Sequence, residues 1–229
     1  MAWAFHDQIS ALTNFDADAA TAVASGETYQ VMTAQWLTDA AKEIVQLLPP
    51  NLLPECAVIK TLDGSNPTLT ELDKKGSILS VVRYDGSYEQ PCREISAIYR
   101  GRVNDSGDMF NYAPSGTADP LFTIYNNTLE IYPTPTASQY AIVRYVDYPA
   151  VAYDDASIDN FPDEAEYLVA LRAAITAAQY QLTFEEDVEI YEPVLNSLRL
   201  DYRSGILAMQ QGQLFAKADP KSAQQNVRV

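Results

Sequence analysis

The chain has 229 residues, of which 31 are acidic and 15 basic, and its formal charge is −16 at pH 7. This surplus argues against a groove that grips nucleic acid, because such affinity comes mainly from lysine and arginine side chains on phosphates. Two interpretations stay open: the charge serves solubility, or it keeps a surface from holding DNA that passes it.

Cysteine use and hydropathy restrict the class further. Cys56 and Cys92 are too few for a disulfide framework and lack the spacing of metal ligands, which suits a reducing cytosol. Residues 1–10 carry no basic segment, and no window of the chain approaches 18 apolar residues. We therefore expect neither export through a signal peptide nor a membrane span.

Residues 1–27 are predicted to form a loosely attached arm. Trp3, Phe5, Ile9 and Leu12 can line one side of a short helix, but the residues that follow are small, polar and weakly patterned. His6, the single histidine of the chain, lies in this arm.

The first core helix is predicted over 28–48, where apolar residues return at helical spacing. Pro49 and Pro50 stop it, because proline lacks an amide hydrogen and disfavours helical geometry in the residue before it. The apolar set is Val31, Trp36, Leu37, Ala40, Ile44, Val45 and Leu48.

The middle of the chain is predicted to be rich in strands. Asp85-Gly86 and Asn126-Asn127 are two-residue turn signals that predict hairpins. A short helix over 94–102 is expected between strands, and 104–120 is expected to be an exposed loop. The predicted strands are 57–62, 77–84, 87–92, 121–125, 128–132 and 139–148.

Many of the 15 tyrosines fall in this strand region. Most simply they are half-buried sheet residues, and alternatively they form a contact surface, since tyrosine is enriched at interfaces. The residues concerned include Tyr84, Tyr88, Tyr99, Tyr112, Tyr125, Tyr132, Tyr140, Tyr145 and Tyr148.

The segment 160–209 carries the longest pattern and predicts a helical pair. Leu168, Leu171, Ile175, Ala178 and Leu182 alternate at spacings of three and four, which places them on one stripe of a helix.

Both helices of the pair have start signals. For the first helix, Asn160 is the expected cap and Pro162 suits the first turn. For the second, Thr183 with Glu186 resembles a capping box. Pro193 predicts either a kink or a start one turn later than that box indicates. Acidic residues suited to the first helix dipole are Asp163, Glu164 and Glu166, and the stripe of the second helix is Val188, Tyr191, Leu195, Leu198, Tyr202, Ile206 and Met209.

These elements predict an α+β fold, in which an N-terminal helix and a C-terminal helical pair pack together around an inserted antiparallel β domain. We expect an arm at 1–27, a helical body at 28–54 and 156–209, a β-rich domain at 55–155, and an extended tail at 210–229. The tail carries Lys217, Lys221 and Arg228, and it is expected to become ordered only against a partner.

No residue pattern indicates an enzyme, a metal or a cofactor. His6 has no nucleophile nearby in the sequence, and neither a G-x-G-x-x-G nor a P-loop pattern is present. Asp154, Asp155 and Asp159 invite a metal hypothesis, but their spacing lacks the glycine and terminal glutamate of a calcium loop. A pair of catalytic carboxylates far apart in sequence stays open, although 31 acidic residues give that idea almost no specificity.

The order of elements resembles the head-to-tail connector (adaptor) proteins of tailed bacteriophages, notably those of aquatic phages. The resemblance covers about residues 28–202. Its motifs are Leu47-Leu48-Pro49-Pro50, Leu129-Glu130-Ile131-Tyr132-Pro133, Val143-Arg144-Tyr145 and Asn160-Phe161-Pro162-Asp163-Glu164-Ala165-Glu166.

This resemblance implies a virion protein of the neck, assembled in the host cytoplasm as a ring of commonly twelve subunits. The ring would lie under the portal protein, contact a tail or neck protein, and surround passing DNA without binding it specifically. The segment after the last helix would reach into the portal. The docking residues that follow are Leu214, Phe215, Lys217, Lys221, Val227, Arg228 and Val229.

The smooth alanine face of the first paired helix has two interpretations. Small residues let helices of neighbouring subunits approach closely, or they pack the helical pair within one subunit. The subunit-contact residues under the first interpretation are Ala170, Ala173, Ala174 and Ala177.

Two other classes of function stay open. One is a different ring protein of the neck, tail or head-completion site of the virion. The other is a carbohydrate-binding or hydrolytic domain, which needs a concave aromatic or carboxylate site.

Overall fold

The helices of the protein come mainly from the two ends of the chain and its strands come from the middle, which confirms the predicted α+β order. The computed structural model describes residues 3–18, 27–103, 119–136, 138–184 and 188–211. In chain order the elements are α1 (Phe5–Thr13), α2 (Tyr29–Leu47), β1 (Ala57–Asp63), β2 (Thr68–Leu69), β3 (Lys75–Tyr84), β4 (Glu89–Pro91), β5 (Arg93–Glu94), α3 (Arg100–Val103), β6 (Leu121–Tyr125), β7 (Thr128–Tyr132), β8 (Tyr140–Asp147), α4 (Asp163–Phe184) and α5 (Val188–Gln210).

The chain divides into two units, which we call the helical unit and the β unit. The helical unit comprises Met1–Glu55 and Pro149–Val229, and the β unit comprises Cys56–Tyr148. The segment from Pro149 onward therefore groups with the helices, where the sequence placed residues up to 155 in the β-rich domain. Val151 shows the reason: it is buried, and its amide donates to the Thr38 hydroxyl on α2 at 3.1 Å.

Helix α2 begins and ends where the sequence predicts. The Thr28 hydroxyl accepts a hydrogen bond from the Val31 amide, which caps the helix, and Leu48 leaves helical geometry just before the two prolines. Most of the predicted apolar stripe, including Leu37 and Ile44, is buried. Val31 does not belong to it, since 52% of its surface is exposed.

The described part of the N-terminal arm, residues 3–18, is not loosely attached, contrary to the prediction. Phe5 and Ile9 on α1 are buried, and the Phe5 amide donates to the carbonyl of Asp155 at 2.8 Å. Phe15 then meets the ring of Trp36 at a centroid distance of 5.6 Å and that of Tyr180 at 6.2 Å. These partners lie far along the chain, so local patterning could not reveal the attachment. Trp3 is exposed and does not join the predicted stripe.

Helix α4 is the centre of the helical unit, because α1, α2 and α5 all pack against it. Its buried positions occur on every side of the helix, as expected for a helix surrounded by others. Gly205 on α5 marks a close approach to α4, because a methyl group there would overlap the side chain of Leu168. The buried residues of α4 are Ala165, Leu168, Val169, Ala170, Leu171, Ala173, Ala174, Ile175, Ala177, Ala178 and Gln181.

The boundary between α4 and α5 differs from the predicted capping box. Thr183 lies in the last turn of α4, where its hydroxyl donates to the carbonyl of Gln179 at 2.9 Å, and Glu186 lies outside the described residues. Helix α5 is described from Val188, which agrees with the alternative of a later start, and Pro193 lies inside it.

The start of α4 also departs from the prediction in detail. Asn160 adopts a left-handed backbone with φ of 53° and lies three residues before Asp163, the first residue of α4, so Asn160 is not the N-cap of this helix. The Glu166 carboxylate instead accepts a hydrogen bond from the Ile158 amide at 2.6 Å, which fixes the linker to the first turn. Burial raises the pKa of Glu166.

The described residues of the β unit form two four-stranded sheets, ordered β1-β8-β3-β4 and β2-β7-β6-β5. Their strands are antiparallel except for β5, which runs parallel to β6. One buried cluster draws residues from both sheets. It consists of Leu62, Leu69, Val81, Phe122, Leu129, Ile131, Ala141, Val143 and Tyr145.

Of the two predicted hairpins, one has the predicted turn and the other does not. Asn126 and Asn127 both have positive φ and join β6 to β7 directly, since Tyr125 pairs with Thr128. The β3–β4 hairpin has a four-residue loop, because Tyr84 pairs with Glu89. The Asp85 carboxylate organises that loop by accepting hydrogen bonds from two amides within it.

The remaining β-unit predictions are met in part. A short helix occurs within 94–102, as a 3-10 turn over Ala97–Tyr99 followed by α3, but Glu94 belongs to strand β5. The predicted loop at 104–120 lies outside the described residues as far as 118.

We predict that Ala174→Leu lowers the stability of the chain, because the Ala174 side chain is fully buried and a larger side chain there must displace its neighbours. Overpacking of this kind costs about 1–3 kcal/mol. The measurement is thermal and urea unfolding of the purified chain.

The matched control is Gln179→Leu, which introduces the same residue at an exposed position of the same helix. Equal melting temperatures for the two variants would show that the alanine contacts are not close.

Candidate functional site

The single histidine has a structural role in the helical unit. The ring of His6 donates from Nδ1 to the carbonyl of Tyr153 at 3.0 Å, and its Nε2 lies 3.4 Å from the Asp7 carboxylate. No cysteine or serine side chain is hydrogen-bonded to it among the described residues. The arrangement anchors α1 to the linker before α4, and it lacks the nucleophile that a catalytic base would activate.

Neither cysteine forms a disulfide bond, and both lie in protected positions. Cys56 is buried and Cys92 is half-buried. Burial raises the pKa of the Cys92 thiol to about 12, although the charge of Arg83 opposes this shift. A thiol with so high a pKa carries almost no thiolate at neutral pH, so neither nucleophilic nor redox chemistry is favoured.

One of the three aspartates in the linker before α4 makes a hydrogen bond to the backbone. The carboxylate of Asp155 accepts a hydrogen bond from the Ala152 amide at 2.7 Å. Within the part of the chain that the structure describes, no group of three or more His, Cys, Asp or Glu residues is arranged to hold a metal.

A polar cluster joins the three long helices of the helical unit. Arg172 on α4 donates to the Glu43 carboxylate on α2 at 2.8 Å, and the Tyr202 hydroxyl on α5 donates to the same carboxylate at 3.0 Å. Burial, and secondarily the charge of Glu43, raise the pKa of Tyr202, so its hydroxyl keeps the proton that it donates. Glu43 therefore receives one bond from each neighbouring helix.

A second polar cluster lies at the surface of the β unit. Arg100 makes two hydrogen bonds of 2.6 Å to the carboxylate of Glu130, and its guanidinium lies 5.0 Å from the ring centroid of Tyr125. Burial alone would raise the pKa of Glu130, but the hydrogen bonds from Arg100 and Tyr132 lower it. The carboxylate therefore stays charged and is fully engaged, which suits a structural ion pair better than an acid catalyst.

The tyrosines of the β unit mostly follow the simpler of the two interpretations. Tyr132 and Tyr145 are buried, whereas Tyr88 and Tyr125 are exposed. Tyr84, Tyr99, Tyr140 and Tyr148 are intermediate, and Tyr112 lies outside the described residues.

The four alanines expected at a subunit contact are enclosed within one chain. Ala170, Ala173, Ala174 and Ala177 each have 0% exposed surface. A neighbouring subunit cannot reach side chains that other helices already cover. The structure therefore favours the alternative, in which these alanines pack the helices of one subunit.

The seven residues expected to dock on a portal all lie in 212–229, outside the described residues. These are Leu214, Phe215, Lys217, Lys221, Val227, Arg228 and Val229. Their contribution stays a prediction.

The acidic surplus belongs almost entirely to the helical unit. The β unit contains 11 acidic and eight basic residues, which leaves 20 of the 31 acidic residues but seven of the 15 basic residues in the helical unit. In the described part of that unit the basic residues are Lys42, Arg172, Arg199 and Arg203. Residue counts alone could have found this segregation once the unit boundaries were known.

The charged and polar clusters connect helices within the helical unit and join α3 to β7 within the β unit. The model of the SU10 adaptor protein family matches residues 10–217, and the chain belongs to this family of bacteriophage adaptor proteins. The resemblance to phage head-to-tail adaptors is thereby confirmed at the level of the family; the aquatic type stays a prediction. No curated protein matches the chain. None of the described helices is both long and apolar enough to cross a bilayer.

We predict that Tyr202→Phe destabilises the helical unit by about 1 kcal/mol, because a partly exposed hydrogen bond to a carboxylate is lost. Urea unfolding measures the change.

The matched control is Tyr167→Phe on α4, at an exposed tyrosine. The Glu43→Gln background supplies a second comparison, since removing the carboxylate charge should shrink the effect of Tyr202→Phe. If Tyr202→Phe lowers the stability of the Glu43→Gln chain as much as it lowers that of the wild type, the stabilisation by the Tyr202 hydroxyl does not come from the Glu43 carboxylate.

Proposed function

We propose that this adaptor forms a homo-oligomeric ring of twelve copies under the portal. The ring joins the capsid to the tail and lines the channel through which the genome passes. Membership of the SU10 adaptor protein family supports an adaptor at the neck of the virion. The observation that carries the channel proposal is the segregation of acidic residues into the helical unit.

An acidic channel lets DNA pass without being held. Duplex DNA binds proteins through phosphate neutralisation by lysine and arginine, so a basic lumen would trap the genome during ejection. A unit with 20 acidic and seven basic residues instead repels phosphate at every position of the duplex. The repulsion between the channel wall and the DNA therefore does not depend on the base sequence of the DNA.

We predict that the chain does not bind duplex DNA, even at low salt, where electrostatic binding is strongest. A gel-shift titration measures this. The control is a chain ending at Gln211, which lacks Lys217, Lys221 and Arg228. Tight, salt-sensitive binding by the shortened chain would contradict an inert channel, whereas binding by the full chain alone would come from the tail.

The segment after α5 is the proposed attachment to the portal. It holds three basic residues and one acidic residue, so it differs in charge from the unit to which it is joined. Leu214 and Phe215 supply apolar anchors, and the cations would contribute orientation and association rate more than affinity. Such a segment draws its binding energy from the partner.

We predict that removing 212–229 leaves the fold intact and abolishes attachment to the portal. The cut after Gln211 preserves Met209, which is fully buried, and the hydrogen bond from the Gln211 amide to the Leu207 carbonyl. Thermal unfolding and portal pull-down of both chains provide the measurements.

Two full-length variants separate the roles within the segment. Leu214→Ser with Phe215→Ser should prevent capture, while Lys217→Gln with Lys221→Gln should slow it and reduce its salt dependence. If the shortened chain melts normally and still binds the portal, the docking surface lies elsewhere. If its melting temperature falls by many degrees, the segment belongs to the folded core.

A further inference from the structure

The outward face of α5 carries exposed leucine and arginine side chains between Arg199 and Leu207. Leu200 and Leu207 are 68% and 49% exposed and lie two helical turns apart. Arg199 and Arg203 are exposed on the same side of the helix. The opposite side, with Leu198 and Met209, is buried. We call Arg199, Leu200, Arg203 and Leu207 the α5 stripe.

The two arginines of the stripe lack an ion pair in the part of the chain that the structure describes. Arg172, by contrast, is engaged by Glu43, and Lys42 also has a partner. Two guanidinium groups that form no ion pair with the described residues, beside exposed leucines, stand out in a unit where acidic residues outnumber basic ones 20 to seven. Such a surface fits a partner that is itself acidic and partly apolar.

A second copy of this chain offers a matching surface at the beginning of α4. Asp163 and Glu164 are exposed there, and Tyr167, one turn further on, is 54% exposed. Carboxylates accept hydrogen bonds from guanidinium groups, and a tyrosine ring receives both arginine and leucine side chains. We call Asp163, Glu164 and Tyr167 the α4 patch.

The α5 stripe and the α4 patch of one chain point in different directions. Gly205 of α5 packs on Leu168 of α4, which defines the contact side of both helices. At 100° per residue, Arg203 and Leu207 lie about 160° from Gly205 around the axis of α5. On α4, Tyr167 lies about 100° from Leu168. One chain therefore cannot satisfy its own stripe with its own patch.

We propose that the α5 stripe of one copy docks on the α4 patch of a second copy of this chain. The contact joins two different surfaces, so each copy can bind one neighbour through its stripe and another through its patch. Repetition of this contact closes a ring when the rotation between neighbouring copies divides a full turn evenly. The inference rests on the proposed ring and assigns the residues that form its repeating contact.

The contact should be weak and sensitive to salt. Exposed ion pairs contribute little individually and are screened by added salt, while two leucines bury a modest apolar area. Association of the purified chain should therefore require high concentration and low ionic strength.

The experiment is sedimentation velocity of the full chain over a concentration series at low salt, with charge-reversal variants. Arg199→Glu with Arg203→Glu should weaken association at least tenfold, because carboxylates would then face carboxylates. Asp163→Lys with Glu164→Lys should do the same. The four changes combined, or a mixture of the two variants, should restore association, since opposite charges face each other again.

The matched control is Lys60→Glu with Arg144→Glu, which lowers the net charge as much as Arg199→Glu with Arg203→Glu does, but at exposed positions of the β unit. It should associate like the wild type. Melting temperatures identify a variant that is misfolded, and Leu200→Ser with Leu207→Ser tests the stripe without altering charge.

Association that survives both reversals overturns this assignment and leaves the proposed ring in place. Reversal that spares self-association but stops attachment to portal-bearing capsids identifies another virion protein as the occupant, and also overturns it. A wild-type chain that stays monomeric up to millimolar concentration excludes the self-contact. Failure of the proposed function has a different signature: imaged virions would lack a ring of this chain under the portal.

Discussion

The burial of the middle of α4, from Leu168 to Ala178, is the constraint on which the helical unit depends. Apolar positions on several sides of a helix need several partners, and α1, α2 and α5 provide them. Two of these partners come from residues before the β unit and one from residues after it. The helical unit can therefore form only when both ends of the chain meet, at the entropic cost of closing a loop that contains the whole β unit. Alanines on α4 and Gly205 on α5 allow the close approach that offsets this cost.

The β unit depends on pairing between distant strands and on a buried arginine. Strands β6 and β7 pair locally, as do β3 and β4, but β8 pairs along its length with β1 and β3, which lie far earlier in the chain. Arg83 is buried, donates from Nε to the carbonyl of Pro133 at 2.8 Å, and contacts the side-chain oxygen of Gln139 at 2.5 Å. These bonds tie strand β3 to both ends of the connection between β7 and β8. Nη1 of Arg83 finds no partner among the described residues, so burial of this charge is only partly compensated and lowers the pKa of Arg83.

Sequence reasoning succeeded where a structure depends on neighbours in the chain. Asn126-Asn127 predicts its turn because the required positive φ is a property of those two residues. The prediction that Thr183 begins the second helix was wrong, because a capping pattern depends only on nearby residues. Whether α4 continues through Thr183 depends on the helices that surround it. The burial of Phe5 against Asp155 and the enclosure of the α4 alanines depend on segments far away in sequence. The exposed arginines and leucines of α5 had no individual signal, because only the direction of packing shows which residues of a helix face outward.

Charge connects the two roles proposed for the helical unit. A surface that repels DNA also repels other copies of itself, and each copy carries a formal charge of −16. A ring of such copies needs a contact in which the sign of the charge is locally inverted, and Arg199 with Arg203 supplies this inversion without introducing a broad basic surface. Since each contact is weak, the closed ring gains stability from the final contact, which forms within an assembly already held together. Attachment to a portal would hold the copies near one another in the same way, so assembly on the capsid and weak association in solution are two consequences of one charge distribution.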